Sequence, residues 1–297
     1  NGWFSYRWSQ IFETGNICSS VIVMKAKQFG NNLQSSFEPA PIDEVVAKIK
    51  SEKPDFVFAP HVETSAGIIL PDNYIRELSK AAHSVNALMV LDCIASGCVW
   101  IDMEDTGVDI LISAPQKGWS SQPCAGLVMM STNAREKINT TDSDSFAMDL
   151  KKWLSIMETY EAGGHAYHAT MPTDSLKVFR DTLSETREFG FSTAFDAQWK
   201  LGKSVRKSLK NWGIQSVAAD GFGAPGVVVS YTDSSDIQNG SRFKELGFQI
   251  AAGVPLKCDE PPGFSTFRLG LFGLDKLKNI ESTLLTLDQA FEQIFTP

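Results

Sequence analysis

Apolar residues fall into short runs, several of which end at a single polar residue. Leu88-Met89-Val90-Leu91 shows no alternation, as in a strand covered on both faces, and it stops at Asp92. Val108 to Ala114 is a second such run, with Lys117 soon after it. Asp55 to Ala59 (DFVFA) and Gly126 to Met130 (GLVMM) read as two more buried strands, and Ser20 to Met24 (SVIVM) as a short one. Helical spacing lies between them. Pro41 opens a helix through about Lys53, with Val45, Val46 and Ile49 on one face, and Pro54 ends it. A second helix, Asp72 to His83, turns Ile75, Leu78 and Ala82 inward. Asn31 to Pro41 reads as a polar loop. Strands alternating with helices predict an α/β fold with a mainly parallel sheet joined by right-handed crossovers.

The pattern changes further on. Residues 149–162 read as helix, stopped by Gly163-Gly164, and a loop (HAYHATMP) leads at Thr173 into a helical stretch reaching about Trp212. Short strands follow at Ser216–Ala219, Val227–Tyr231 and Thr266–Leu271, with a helix near Ser241–Leu246. A terminal helix carries Leu277, Ile280, Leu284, Leu287, Phe291 and Ile294 at helical spacing. This predicts a large domain over 1–188 and a smaller α+β domain over 189–297.

Composition narrows the function classes. Of 297 residues, 43% are hydrophobic and 21% charged, ordinary values for a globular protein. A net charge of −8 argues against nucleic acid or an anionic membrane as main partner. No apolar run is long enough to span a membrane. Cys18, Cys93, Cys98, Cys124 and Cys258 are odd in number and lack C-x-x-C spacing, which fits reduced thiols in the cytoplasm rather than disulfides or zinc. The four histidines have no ligand spacing. The chain starts at Asn1-Gly2-Trp3, without methionine and inside sequence of folded character, and reads as a piece of something longer.

Candidate chemistry concentrates at strand ends, where open α/β sheets bind ligands. Asp92 and Lys117 bring a carboxylate and an amine there. Pyridoxal 5'-phosphate needs both: a lysine for its aldehyde and an anion that keeps its pyridine nitrogen protonated. Taken singly, Asp92 is equally a turn residue and Lys117 a solvated loop charge. Ser65, in a Thr-Ser-Ala-Gly turn after a strand, offers a hydroxyl, Gln116 a donor beside the lysine, and Ile94 a flat apolar surface. Arg268 interrupts the otherwise apolar Thr266–Leu271 run; its guanidinium wants a carboxylate, from substrate or from the protein. Tyr167 and Thr170 put hydroxyls on the loop between domains. Nothing marks Cys93 or Cys98 as nucleophiles.

The ordered set HVETSAG, DCIASG, SAPQKGW with AGLVMMS, Tyr167-His168-Ala169-Thr170 and Phe267-Arg268-Leu269-Gly270 resembles the class V aminotransferases of pyridoxal phosphate fold type I. Within them it is most similar to the alanine–glyoxylate and serine–pyruvate aminotransferases, with the 2-aminoethylphosphonate transaminases as relatives. The resemblance implies a three-layer fold with a Schiff-base Lys117 that also moves the substrate proton, and an Asp92 that holds the pyridinium. It implies cofactor contacts from Ser65, Gln116 and Ile94, with Phe4 stacking on the ring opposite Ile94. It also implies a homodimer in which Tyr167 and Thr170 reach the neighbour's phosphate, and an Arg268 that binds the α-carboxylate of a small amino acid or 2-oxo acid. The family's Ser-Gly-Thr type phosphate cup would fall before Asn1, so the resemblance makes this chain an N-terminally truncated form. Weaker readings are a phosphonate transaminase, a desulfurase using Cys258, and a truncated subunit that only dimerises.

Overall fold

A computed structural model describes residues 1–30 and 32–296. The runs ending at Asp92 and before Lys117 form the middle of a four-stranded sheet. Phe56–Pro60, Leu88–Asp92 and Ile110–Ser113 run parallel, and Leu127–Met130 lies antiparallel on the far side of Ile110–Ser113. The direction of that last strand follows from its connection. The lysine loop contains no crossover helix, so the chain can only turn back on itself. Helices Ile42–Glu52 and Asp72–His83 supply the crossover layer, burying Val45, Ile49, Ile75, Leu78 and Ala82 with Met89 and Leu91 of the sheet. The expected α/β class, with a mainly parallel central sheet, is the one observed.

A second core gathers around helix Phe191–Asn211. Its Ala194, Leu201, Val205 and Leu209 pack with Phe267, Leu269 and Phe291. Beside it lies an antiparallel sheet in the order Ala251–Ala252, Thr266–Gly270, Val227–Tyr231. Arg206 on that helix fastens the two halves together, donating from Nη2 to the carbonyls of Gly67 (3.3 Å), Ala224 (2.8 Å) and Val227 (3.2 Å). Burial without a carboxylate brings its pKa down to about 10.

Four expectations are corrected. Ser20–Met24 is not a strand. A strand exists only with a partner, and this segment instead runs along a cavity of about 900 Å³ lined also by Phe56–Pro60. The outer edge of Phe56–Pro60, at the end of its sheet, has no strand partner among the described residues. The polar loop expected over 31–41 contains a strand, Phe37–Glu38, paired with Lys27–Gln28; the fully buried Phe37 draws it inward. Its first residue, Asn31, lies outside the described residues. Ser216–Ala219 makes isolated bridges to Ser230 and Phe37 instead of a continuous ladder. The stretch 173–212 is two helices, Thr173–Phe189 and Phe191–Asn211, because Gly190 takes a φ of 96° that breaks the hydrogen-bond run. No described helix is long and apolar enough to cross a membrane, and no metal-ligating cluster occurs among the described residues.

Candidate active site

Register brings three strand ends into line. Pro60 pairs with Asp92, and Asp92 with Ile112. The loops after them, carrying Ser65, Asp92–Ile94 and Lys117, therefore emerge along one edge of the sheet, the carboxyl edge where such folds bind ligands.

Asp92 is half-buried and held from both sides. Its Oδ1 accepts the Ile94 amide at 3.0 Å, and its Oδ2 accepts the Trp8 indole N–H at 3.1 Å. Burial pushes its pKa up, the charge of Glu63 adds to that, and the two donors act against it. An ionised carboxylate has about four acceptor sites, so these two bonds leave capacity for a further N–H. His61 steadies the loop beneath. It is buried, its Nδ1 lies 2.7 Å from Ser96 Oγ, and its backbone N–H reaches the Asp92 carbonyl at 2.8 Å. Burial lowers its pKa to about 3, so the ring is neutral.

Lys117 is half-buried, and its amine makes no hydrogen bond or ion pair among the described residues. Its loop is pressed against the Asp92 loop, backbone on backbone. A Cβ on Gly118 would come within 2.5 Å of the Gly97 carbonyl oxygen. Trp119 stacks near Trp100, with centroids 5.0 Å apart, and donates to Ser113 Oγ at 3.3 Å. Gln116 is exposed, and Ile94 is half-buried beside Asp92.

A second group assembles around the first residues. Ser65 is buried, with its hydroxyl donated to Glu63 Oε1 at 2.8 Å and accepting the Trp3 amide at 3.0 Å. The ring of Phe4, expected to face Ile94, has the Arg268 guanidinium over it at 5.4 Å. Arg268 donates from Nε to the Ala252 carbonyl at 2.8 Å and has no ion-pair partner among the described residues. Burial lowers its pKa and the Glu63 charge opposes that. Tyr167 and Thr170 stand apart. Both are exposed, their hydroxyls 3.3 Å from each other, and among the described residues no hydrogen bond ties them to the Asp92–Lys117 edge.

Sequence reading missed Glu63 and Trp8. The signal for Glu63 was an acid inside the otherwise uncharged stretch from Phe56 to Leu70; for Trp8 there was none. Cys258, the thiol of the desulfurase reading, is buried and pushed up to about 11, mainly by desolvation. That is the reverse of an activated nucleophile.

An amine unpaired among the described residues and a half-buried carboxylate with spare acceptor capacity, on touching loops of one sheet edge, fit pyridoxal phosphate. Comparison with known proteins bears on the same point. The family model of the class-V aminotransferases matches residues 27–228. The chain belongs to the class-V aminotransferase family. Among curated relatives, the alanine–glyoxylate aminotransferase of Felis catus is 27% identical over 259 residues, covering 85% of this chain and 61% of its own length. The small subunit of a soluble hydrogenase from Synechococcus is 24% identical, over 100% of this chain and 74% of its own. Among solved structures, an alanine–glyoxylate aminotransferase from Nostoc superposes with a TM-score of 0.73 at 19% identity, covering 87% of this chain and 67% of that one. The class-V chain thus shares the aminotransferase fold while spanning 61% of the length of the cat relative.

Proposed function

We propose that this chain carries the catalytic edge of a pyridoxal phosphate-dependent aminotransferase acting on a small amino acid and a 2-oxo acid. The observation that carries the reading is the placement of Asp92 and Lys117 on touching loops at one sheet edge. The names of the cat and Nostoc relatives support alanine as donor and glyoxylate as acceptor; serine and pyruvate stand beside them as the small donor and acceptor of the same kind.

The bound cofactor would supply an electron sink for the bond broken at the substrate's α-carbon. Lys117 would hold it and, once freed by the incoming amine, carry the α-proton. Its amine has no competing partner among the described residues. Asp92 would keep the ring nitrogen protonated, with Trp8 and the Ile94 amide holding the carboxylate ionised against its burial. Arg268 would take the substrate carboxylate, consistent with a guanidinium that has no ion pair among the described residues. Ile94 and Phe4 would cover the ring, and Ser65 and Gln116 would meet its polar substituents. Ser65 has its proton committed to Glu63 and could therefore only accept.

Tyr167 and Thr170 would act on a second copy. That reading is supported by their exposure and by Phe146 and Met148 on the loop before helix Leu150–Glu161, each 75% exposed, with the Phe146 ring centroid 4.4 Å from that of His168 beside Tyr167. The free cysteines support a cytoplasmic location, and the break at Gly190, just past helix Thr173–Phe189, lies close to the proposed division between 1–188 and 189–297.

The test is to incubate the chain with pyridoxal phosphate, reduce with borohydride and map the modified lysine by mass spectrometry. A pyridoxyl group on Lys117, and its loss in Lys117→Ala, is the expected result. Labelling spread over surface lysines, indifferent to Lys117→Ala, refutes the assignment.

A further inference from the structure

Glu63 is only 1% exposed, and a carboxylate at that depth persists only where donors replace water. Its Oε2 accepts the Ser5 amide at 2.8 Å and also the Ser5 hydroxyl. Its Oε1 accepts the Phe4 amide at 3.3 Å, the Ser65 amide at 2.9 Å and the Ser65 hydroxyl at 2.8 Å. Ser65 Oγ accepts the Trp3 amide. Three consecutive amides, from Trp3 to Ser5, are thereby fastened to one acid and its neighbouring serine. Gly2 makes the approach possible, since a Cβ there would fall 2.2 Å from Ser65 Oγ.

The fastened turn carries Phe4, whose ring lies against the Arg268 guanidinium. Among the described residues Arg268 is otherwise fixed by one bond, from Nε to Ala252, which leaves its terminal nitrogens to be aimed by packing. We propose that Glu63 is a positioning residue: it clamps the Trp3–Phe4–Ser5 turn so that Phe4 holds Arg268 in the orientation that receives the substrate's α-carboxylate. This rests on the reading of Arg268 as the substrate anchor. A carboxylate suits the task better than an amide of the same size. It only accepts, whereas glutamine would turn an NH₂ toward amides and hydroxyls that already donate. The converging donors also disperse a charge that would otherwise repel an incoming carboxylate.

The experiment compares the parent with Glu63→Gln and Ser5→Ala, by hydrogen exchange of the N-terminal peptide without cofactor and by steady-state kinetics with it. In Glu63→Gln the Phe4 and Ser5 amides exchange about tenfold faster or more. KM for the amino donor rises about tenfold while kcat stays within about threefold, the mark of lost binding rather than lost chemistry. Ser5→Ala, which removes one donor, shifts both readouts less, and it carries the test alone if Glu63→Gln does not fold. Unchanged exchange, or faster exchange with an unchanged KM, overturns the proposal. A parent whose Lys117 takes no pyridoxyl group defeats the functional reading and the substrate role with it; the exchange measurement still distinguishes that failure from failure of the clamp.

Discussion

The indole N–H of Trp8 reaches the carboxylate of Asp92 at 3.1 Å, joining a helix near the start of the chain to the central strand 84 positions later. Trp8 also stacks against Phe58, with centroids 4.9 Å apart. It thus packs beneath the strand ends while contributing a donor at their edge.

That donor acts against burial, and the balance can be read by titration. The folded pKa of Asp92 is raised, so the fold prefers the protonated acid. The ionised form therefore costs the cofactor-free protein stability that is absent at low pH and grows as pH rises from about 3.9 through the folded value. Chemical denaturation of the parent and of Asp92→Asn across this range gives curves that diverge in favour of Asn as pH rises. Trp8→Phe, lacking the indole donor, leaves the onset in place but makes the divergence larger and carries it to higher pH. Parallel curves for parent and Asp92→Asn contradict this electrostatic account.

His61 gives the opposite slope. Its folded pKa, near 3, lies below the unfolded value of about 6.5. The stability it contributes is complete above that unfolded value and is lost as pH falls toward the folded one. Between about pH 6.5 and pH 5 the loss is about 2 kcal/mol. Urea denaturation shows the decline in the parent, and His61→Gln flattens it. A decline equally steep in His61→Gln assigns the effect to other groups.

Gly118→Ala tests the contact between the Asp92 and Lys117 loops. The new methyl meets the Gly97 backbone, which cannot rotate aside as a side chain can. A destabilisation of about 1–3 kcal/mol is expected, with reduced borohydride trapping at Lys117 because its loop is pushed outward. An unaltered melting temperature together with full trapping removes the contact from the argument.

Elements whose partners lie within the pattern were legible from the chain. Helix Asp72–His83 and strand Leu88–Asp92 end where their apolar spacing ends, because packing on the sheet rewards that periodicity directly. Val21 to Met24 has the same apolar, β-branched character, yet forms no ladder, because strand formation depends on a neighbour that composition does not reveal. The site divides the same way. That Asp92 and Lys117 come to one sheet edge was legible because each follows an apolar run that reads as a strand. Glu63 was not, because its meaning lies in amides 58 and 59 positions away that no local pattern connects to it.

The bare side of Phe56–Pro60 has a consequence of a different kind. Phe56 is 44% exposed there, and Ile22 and Val23, across the groove, are 47% and 43% exposed. Unsatisfied main-chain groups bordered by apolar side chains form a template onto which any extended peptide can be stitched, another molecule of the same chain included. Pairing of that kind grows with concentration, and a charge placed on that margin opposes it.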